Sequence, residues 1–242
     1  MALAHRGRKL FGWVAALPVV AFATMAVGGY FDRNAVRYEA ALGPRRDGLV
    51  AVYFSGDMGL SVGAGEGAVN ALRTRGVPVL TVNSSALFGR AQDRLYVDAL
   101  VADTIRQALA RSGASKVVLI GTSFGADMLD TGIGAVPADL RDKIASVVLV
   151  VPGTEVWFHA NPSGLFYQGT PDSDPRRTVR LLRGMRVTCI YGTQEADSLC
   201  RSPELAGASR IALDDGHLML GHYHELAETA ANAALFPPPP MH

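Results

Sequence analysis

The chain has 242 residues, 49% of them hydrophobic and 19% charged, enough to bury one sizeable core in one domain. A formal net charge of +1 excludes the strongly basic field with which nucleic-acid binders neutralise phosphates. Two cysteines, Cys189 and Cys200, are spaced in a way that does not suggest zinc, so no metal or cofactor is expected.

The basic cluster HRGRK (5–9) precedes LFGWVAALPVVAFATMAVGGY (10–30), an uncharged run long enough to cross about 30 Å of hydrocarbon. Residues 1–30 are therefore expected to form an apolar helix acting as a signal-anchor or a signal peptide, with the body carried across a membrane. Small residues at Thr24, Ala26 and Gly28 suit cleavage, whereas the length of the run and Pro18 favour an uncleaved anchor. Residues 31–47 are charged, end in Gly-Pro-Arg-Arg, and read as a tether.

From residue 48 to 235 short apolar runs alternate with helical patterns. The strands are expected at 49–57, 77–83, 116–121, 146–152, 186–192 and 209–214, and the helices at 64–75, 93–112, 124–132, 137–144, 175–184 and 221–235. Runs that are continuously apolar, not alternating, belong to a parallel sheet covered on both faces. The pattern predicts a doubly wound α/β domain whose ligands sit beyond the carboxyl ends of the strands. The stretch 153–174 lacks a clear element and carries Trp157, Phe158, Phe166 and Tyr167, which suggests a lid or binding loop. The closing 236–242, FPPPPMH, reads as a disordered tail.

Gly121-Thr122-Ser123-Phe124-Gly125 follows one of these strands and opens a helix, the setting of a nucleophile elbow. A serine hydroxyl needs a base to take its proton, and the base needs an acid to orient it. In hydrolases of this architecture the chain order is Ser, acid, His. His217, just past the last strand, is the expected base. The acid should follow the penultimate strand, where Asp197 is preferred and Glu195 is the alternative. Asp214 and Asp215 read as turn or helix caps. The oxyanion hole is expected from the backbone N–H of Phe124 and that of Asp57 or Met58, with Gly56 admitting the close approach. In a translocated protein Cys189 and Cys200 are expected to pair and restrain the acid's loop.

YFSGDMG, VVLIGTSFGAD, YGTQEADSLC and the GH ahead of LAETA resemble, in order and spacing, the VirJ/AcvB family of bacterial exported α/β-hydrolases over roughly residues 48–232. Met58 and Leu60 stand where the first family turn usually has glycine and tryptophan. Leu218 and Met219 stand where a second histidine and an aromatic are expected. The resemblance implies a periplasmic serine hydrolase with an α/β-hydrolase fold, anchored to the inner membrane or cleaved and soluble. It also implies removal of the aminoacyl group from lysyl-phosphatidylglycerol, with Ser123 as nucleophile, Asp197 as acid and His217 as base. Asp57, Asp127 and Glu155 are then candidates for the cationic head group, although Asp127 also suits a brace for the elbow. An esterase, lipase or thioesterase gripping an acyl chain with Trp157 and Phe158 is the alternative, and a noncatalytic adapter for virulence or secretion is another.

Overall fold

The computed structural model describes residues 19–161 and 167–241. Seven strands form its sheet: β1 (Val36–Glu39), β2 (Leu49–Phe54), β3 (Val79–Val82), β4 (Lys116–Thr122), β5 (Ile144–Val150), β6 (Val187–Gly192) and β7 (Ser209–Leu213). They lie in the order β1-β3-β2-β4-β5-β6-β7, with β1 antiparallel to β3 and every other pair parallel. The chain leaves β2 to one side for β3 and returns to the other side for β4. The carboxyl ends of β2 and β4 therefore flank a topological switch point, where a crevice for ligands opens.

Four longer helices cover the sheet: α1 (Gly65–Thr74), α2 (Arg94–Ser112), α3 (Phe124–Gly132) and α4 (Tyr223–Leu235). Successive strand residues face opposite sides, so each central strand feeds two cores. Val50, Val52 and Phe54 pack with Val101, Ile105 and Leu129 on the α2/α3 face. Ala51 and Tyr53 pack with Leu72, Leu226 and Ala230 on the α1/α4 face. Double burial is the physical reason these strands read as unbroken apolar runs. Local signals set the helix ends: α2 starts where the Asp93 carboxylate accepts the Tyr96 N–H at 2.8 Å, and stops at Gly113 in the left-handed region, φ 69°.

Several expectations are corrected. The tether is not a tether, because Val36–Glu39 pairs with Val79–Val82 as the edge strand β1. Val36 and Tyr38 pack on the core while Arg37 is exposed, an alternation that a charge-based reading misses. The tail is tied down as well: Met241 is buried, donates its N–H to Met185 O and accepts from Gly184 N–H. The expected helix at 137–144 shrinks to Ala138–Arg141, and that at 175–184 splits into a short α-helical turn and a 3-10 turn. Within 153–174, Val156 bridges Ser173, and Val156, Phe158 and Ala160 are packed against Phe88 and Phe124.

Of the apolar run 10–30, residues 10–18 lie outside the described residues. Residues 19–27 are helical, with Val19, Val20, Phe22 and Val27 exposed. Among the described residues no helix is long and apolar enough to cross a membrane. The end of this helix is fastened to the carboxyl end of the sheet, where Gly28 O accepts from Ser85 Oγ at 2.6 Å and Gly29 O from Asn83 Nδ2 at 3.1 Å.

Candidate active site

Ser123 sits between β4 and α3 with φ 50° and ψ −123°, a conformation that L side chains rarely adopt. The flanking glycines are required by close backbone approach. A Cβ on Gly121 would lie 2.5 Å from Gly125 O, and one on Gly125 would lie 2.4 Å from both Phe54 O and Ser55 O. The elbow and the turn after β2 thus interlock. At Gly56 a Cβ would meet only ordinary contacts with the protein, 3.5 Å from Thr122 O and 3.7 Å from Ser123 Cβ. The turn nonetheless lies beside the nucleophile. Phe124 opens α3, and its N–H is among the first helical amides, which have no acceptor within the helix.

His217 lies in the loop between β7 and α4. Its Nε2 is 2.9 Å from Ser123 Oγ, and its Nδ1 is 2.7 Å from Glu195 Oε1. The carboxylate accepts Nδ1–H, which leaves the Nε2 lone pair for the serine O–H. The carboxylate that meets His217 is therefore that of Glu195 and not that of the preferred Asp197. Glu195 is buried and its second oxygen accepts the Gly192 N–H at 2.7 Å. Asp197, two residues on, is exposed and lines the cleft instead. Cys189 in β6 and Cys200 are disulfide-bonded across this loop.

Sequence reasoning placed Asp215 among capping residues, but it does more. Its carboxylate accepts from Gly216 N–H (2.7 Å), Gly221 N–H (3.0 Å) and His222 Nδ1 (3.0 Å), closing the loop that carries His217. Its backbone carbonyl accepts Gln194 N–H at 3.1 Å, which registers the base loop on the acid loop. The signal for this was the run Asp-Gly-His ending in Gly-His, a short loop with an acceptor at its start.

A cleft of about 540 Å³ opens on Ser123 and His217 and is lined by Asp57, Asp127, Glu155, Asp197, Trp157 and Tyr167. Among the described residues its lining contains four carboxylates and no Lys or Arg. Asp57 is buried and accepts the Tyr167 O–H at 3.0 Å; burial raises its pKa. Asp127 accepts the Gly153 N–H at 2.9 Å, so it braces the 153 loop rather than the elbow, while also facing the cleft. Burial pushes Asp127 up to about 7, opposed by that hydrogen bond and reinforced by Asp57. The His217 pKa is raised, first by its hydrogen bond to Glu195, against a burial effect that lowers it. Trp157 stacks on Tyr167 with ring centroids 5.6 Å apart. Phe158 is a correction: it is a core residue beside Phe88 and Phe124 and does not line the cleft. Phe166 lies outside the described residues. Among the described residues no group of His, Cys, Asp and Glu is arranged to hold a metal ion.

A family model described as bacterial virulence protein (VirJ) matches residues 48–234. The chain belongs to the VirJ family. No curated protein matches it at a significant level. Among solved structures, this VirJ-family chain is similar to Est1E from Butyrivibrio proteoclasticus, with a TM-score of 0.58 and 13% identity over 83% of this chain and 92% of that one. It is similar to an alpha-beta serine hydrolase homologue from Coxiella burnetii, with a TM-score of 0.56 and 16% identity over 81% and 89%. It is also similar to Aspergillus fumigatus lipase B, with a TM-score of 0.57 and 19% identity over 86% and 57%. At these identities the likeness establishes the α/β-hydrolase fold of the VirJ-family chain.

Proposed function

We propose that this VirJ-family protein is a serine hydrolase that cleaves a carboxylic ester through an acyl-serine intermediate. The observation that carries the reading is the relay from Ser123 Oγ to His217 Nε2 at 2.9 Å and from His217 Nδ1 to Glu195 Oε1 at 2.7 Å, opening on a cleft. In the proposed reaction Ser123 attacks the ester carbonyl as His217 takes its proton. Glu195 stabilises the imidazolium and keeps the ring in one tautomer. The Phe124 amide and that of Asp57 or Met58 receive the oxyanion. His217 then gives its proton to the departing alcohol, and water cleaves the acyl-serine by the same relay in reverse.

The proposed substrate is the aminoacyl ester of a phospholipid such as lysyl-phosphatidylglycerol. Support comes from four carboxylates around the cleft with no Lys or Arg among the described residues that line it, a surrounding suited to an ammonium group. The family resemblance supplies the lipid, and the apolar run 10–30 suits a body held at the outer face of the inner membrane. A second reading, hydrolysis of an uncharged ester or thioester, is favoured by the fold relatives, which include an Est1E structure with ferulic acid bound and the thioesterase domain of the curacin pathway.

The test compares lysyl-, alanyl- and plain acyl-phosphatidylglycerol with the purified protein and its Ser123→Ala variant. Release of lysine that depends on Ser123 is expected. Release of fatty acid alone would establish the second reading, and no Ser123-dependent product from any ester would remove both.

A further inference from the structure

Ser123 and His217 also border a second cleft. About 260 Å³ in volume, it is lined by Met58, Val62, Val151, Leu218, Leu220 and Tyr223 among others. The only carboxylate in its lining is Asp57, which both clefts share. Its rim is apolar and open to solvent: Val62 is 36% exposed, Leu218 48% and Leu220 68%. Between the two leucines Met219 adopts φ 50° and is almost fully buried, so the chain turns the middle side chain in and leaves its neighbours at the mouth. Water-facing leucines beside a catalytic centre call for an apolar occupant.

Resting on the ester-hydrolase reading above, we propose that this cleft binds the alcohol half of the substrate through the aliphatic portion of that half, while the acyl half occupies the acidic cleft. The orientation follows from the proton inventory. The bond from carbonyl carbon to alcohol oxygen breaks as His217 Nε2–H protonates that oxygen, so the alcohol must leave beside the imidazole. Leu218 and Leu220 stand on the same loop as His217 and line the cleft that begins there. The acidic cleft also reaches Ser123 and His217, but its farther wall comes from Phe124, Asp127 and the 153–157 segment, with neither leucine in it.

The experiment uses two n-alkyl ester series, of lysine and of acetate, from methyl to octyl, at concentrations below micelle formation. A buried methylene is worth about 0.8 kcal/mol, so kcat/KM should rise up to about fourfold per carbon until the cleft is filled. The exposed position of Leu220 makes Leu220→Asp a tolerable change, and it should flatten the slope with melting temperature as a folding control. The binding affinity of Ser123→Ala for lysine octyl ester against lysine methyl ester gives the same reading without turnover, and tighter binding of the octyl ester is expected. Rates and affinities independent of alcohol length would overturn the proposal, as would a length dependence found only in an acyl series from acetyl to octanoyl methyl ester. Cleavage of alkyl acetates with a rising slope, but not of lysine esters, would leave this cleft assigned while removing the cationic acyl group from the function.

Discussion

Replacing Glu195 by glutamine tests the relay most sharply, because the two acceptors of its carboxylate face two different donors. One oxygen faces His217 Nδ1 and the other accepts Gly192 N–H, each at 2.7 Å. Glutamine can supply an acceptor to only one of them. Turning its NH₂ towards Gly192 would set two donors against each other in a buried place, at a cost of about 1–3 kcal/mol. The amide oxygen therefore stays on Gly192 and the NH₂ faces Nδ1, which forces the imidazole proton onto Nε2. In that tautomer His217 cannot accept the serine proton. The corresponding change in chymotrypsin-type triads lowers kcat by about 10⁴, and a loss of that order with KM little altered is expected for Glu195→Gln. Asp197→Asn, at an exposed side chain, should stay within about threefold on an uncharged ester. Steady-state hydrolysis of a chromogenic ester, with fluorophosphonate labelling of Ser123 as a second readout, measures both. A hundredfold loss in Asp197→Asn beside near-normal Glu195→Gln would refute the assignment.

The acid limb of kcat/KM should lie above the ordinary histidine value of 6.5, because His217 must be neutral to accept a proton and its partners raise its pKa; a limb below 6 would contradict the relay. Asp127 gains its charge as pH passes about 7, so KM for a cationic ester should fall through that range, and Asp127→Asn should abolish the fall, as read by KM against pH. Asp215→Ala opens the base loop; displacing His217 by an ångström is worth about a hundredfold in kcat, with KM largely kept. Gly125→Ala drives a methyl into two carbonyls at 2.4 Å; overpacking of about 1–3 kcal/mol predicts a melting temperature lower by roughly 2–12 °C. Replacing both cysteines by alanine removes a short loop closure worth roughly 2–3 kcal/mol and should lower both melting temperature and activity, measured against the oxidised parent protein.

The sheet was legible because burial on both faces leaves uninterrupted apolar runs, and the six strands read that way all stand within two or three residues of their places. The pairing of Ser123 with His217 was legible from strand order, since a serine at a strand-to-helix turn and a histidine past the last strand meet at the carboxyl edge. The acid was not. Glu195 and Asp197 share one loop, and the choice rests on a hydrogen bond from Gly192 that no propensity encodes. The edge strand β1 was hidden by its charged outward face, and the anchored tail by prolines that usually mark loose ends. Phe158 was misplaced because a long segment without periodicity says nothing about which of its aromatics face inward.

The interlock of Gly125 with the carbonyls of Phe54 and Ser55 has an evolutionary corollary. The Ser123 elbow and the turn after β2 are packed as one block, so a substitution that shifts either must be accommodated by the other. New substrate preferences must then arise at the periphery, in the 58–64, 153–157 and 218–220 segments, where side chains can be exchanged without disturbing that block. Directed libraries confined to those segments are the economical place to look for altered selectivity in this scaffold.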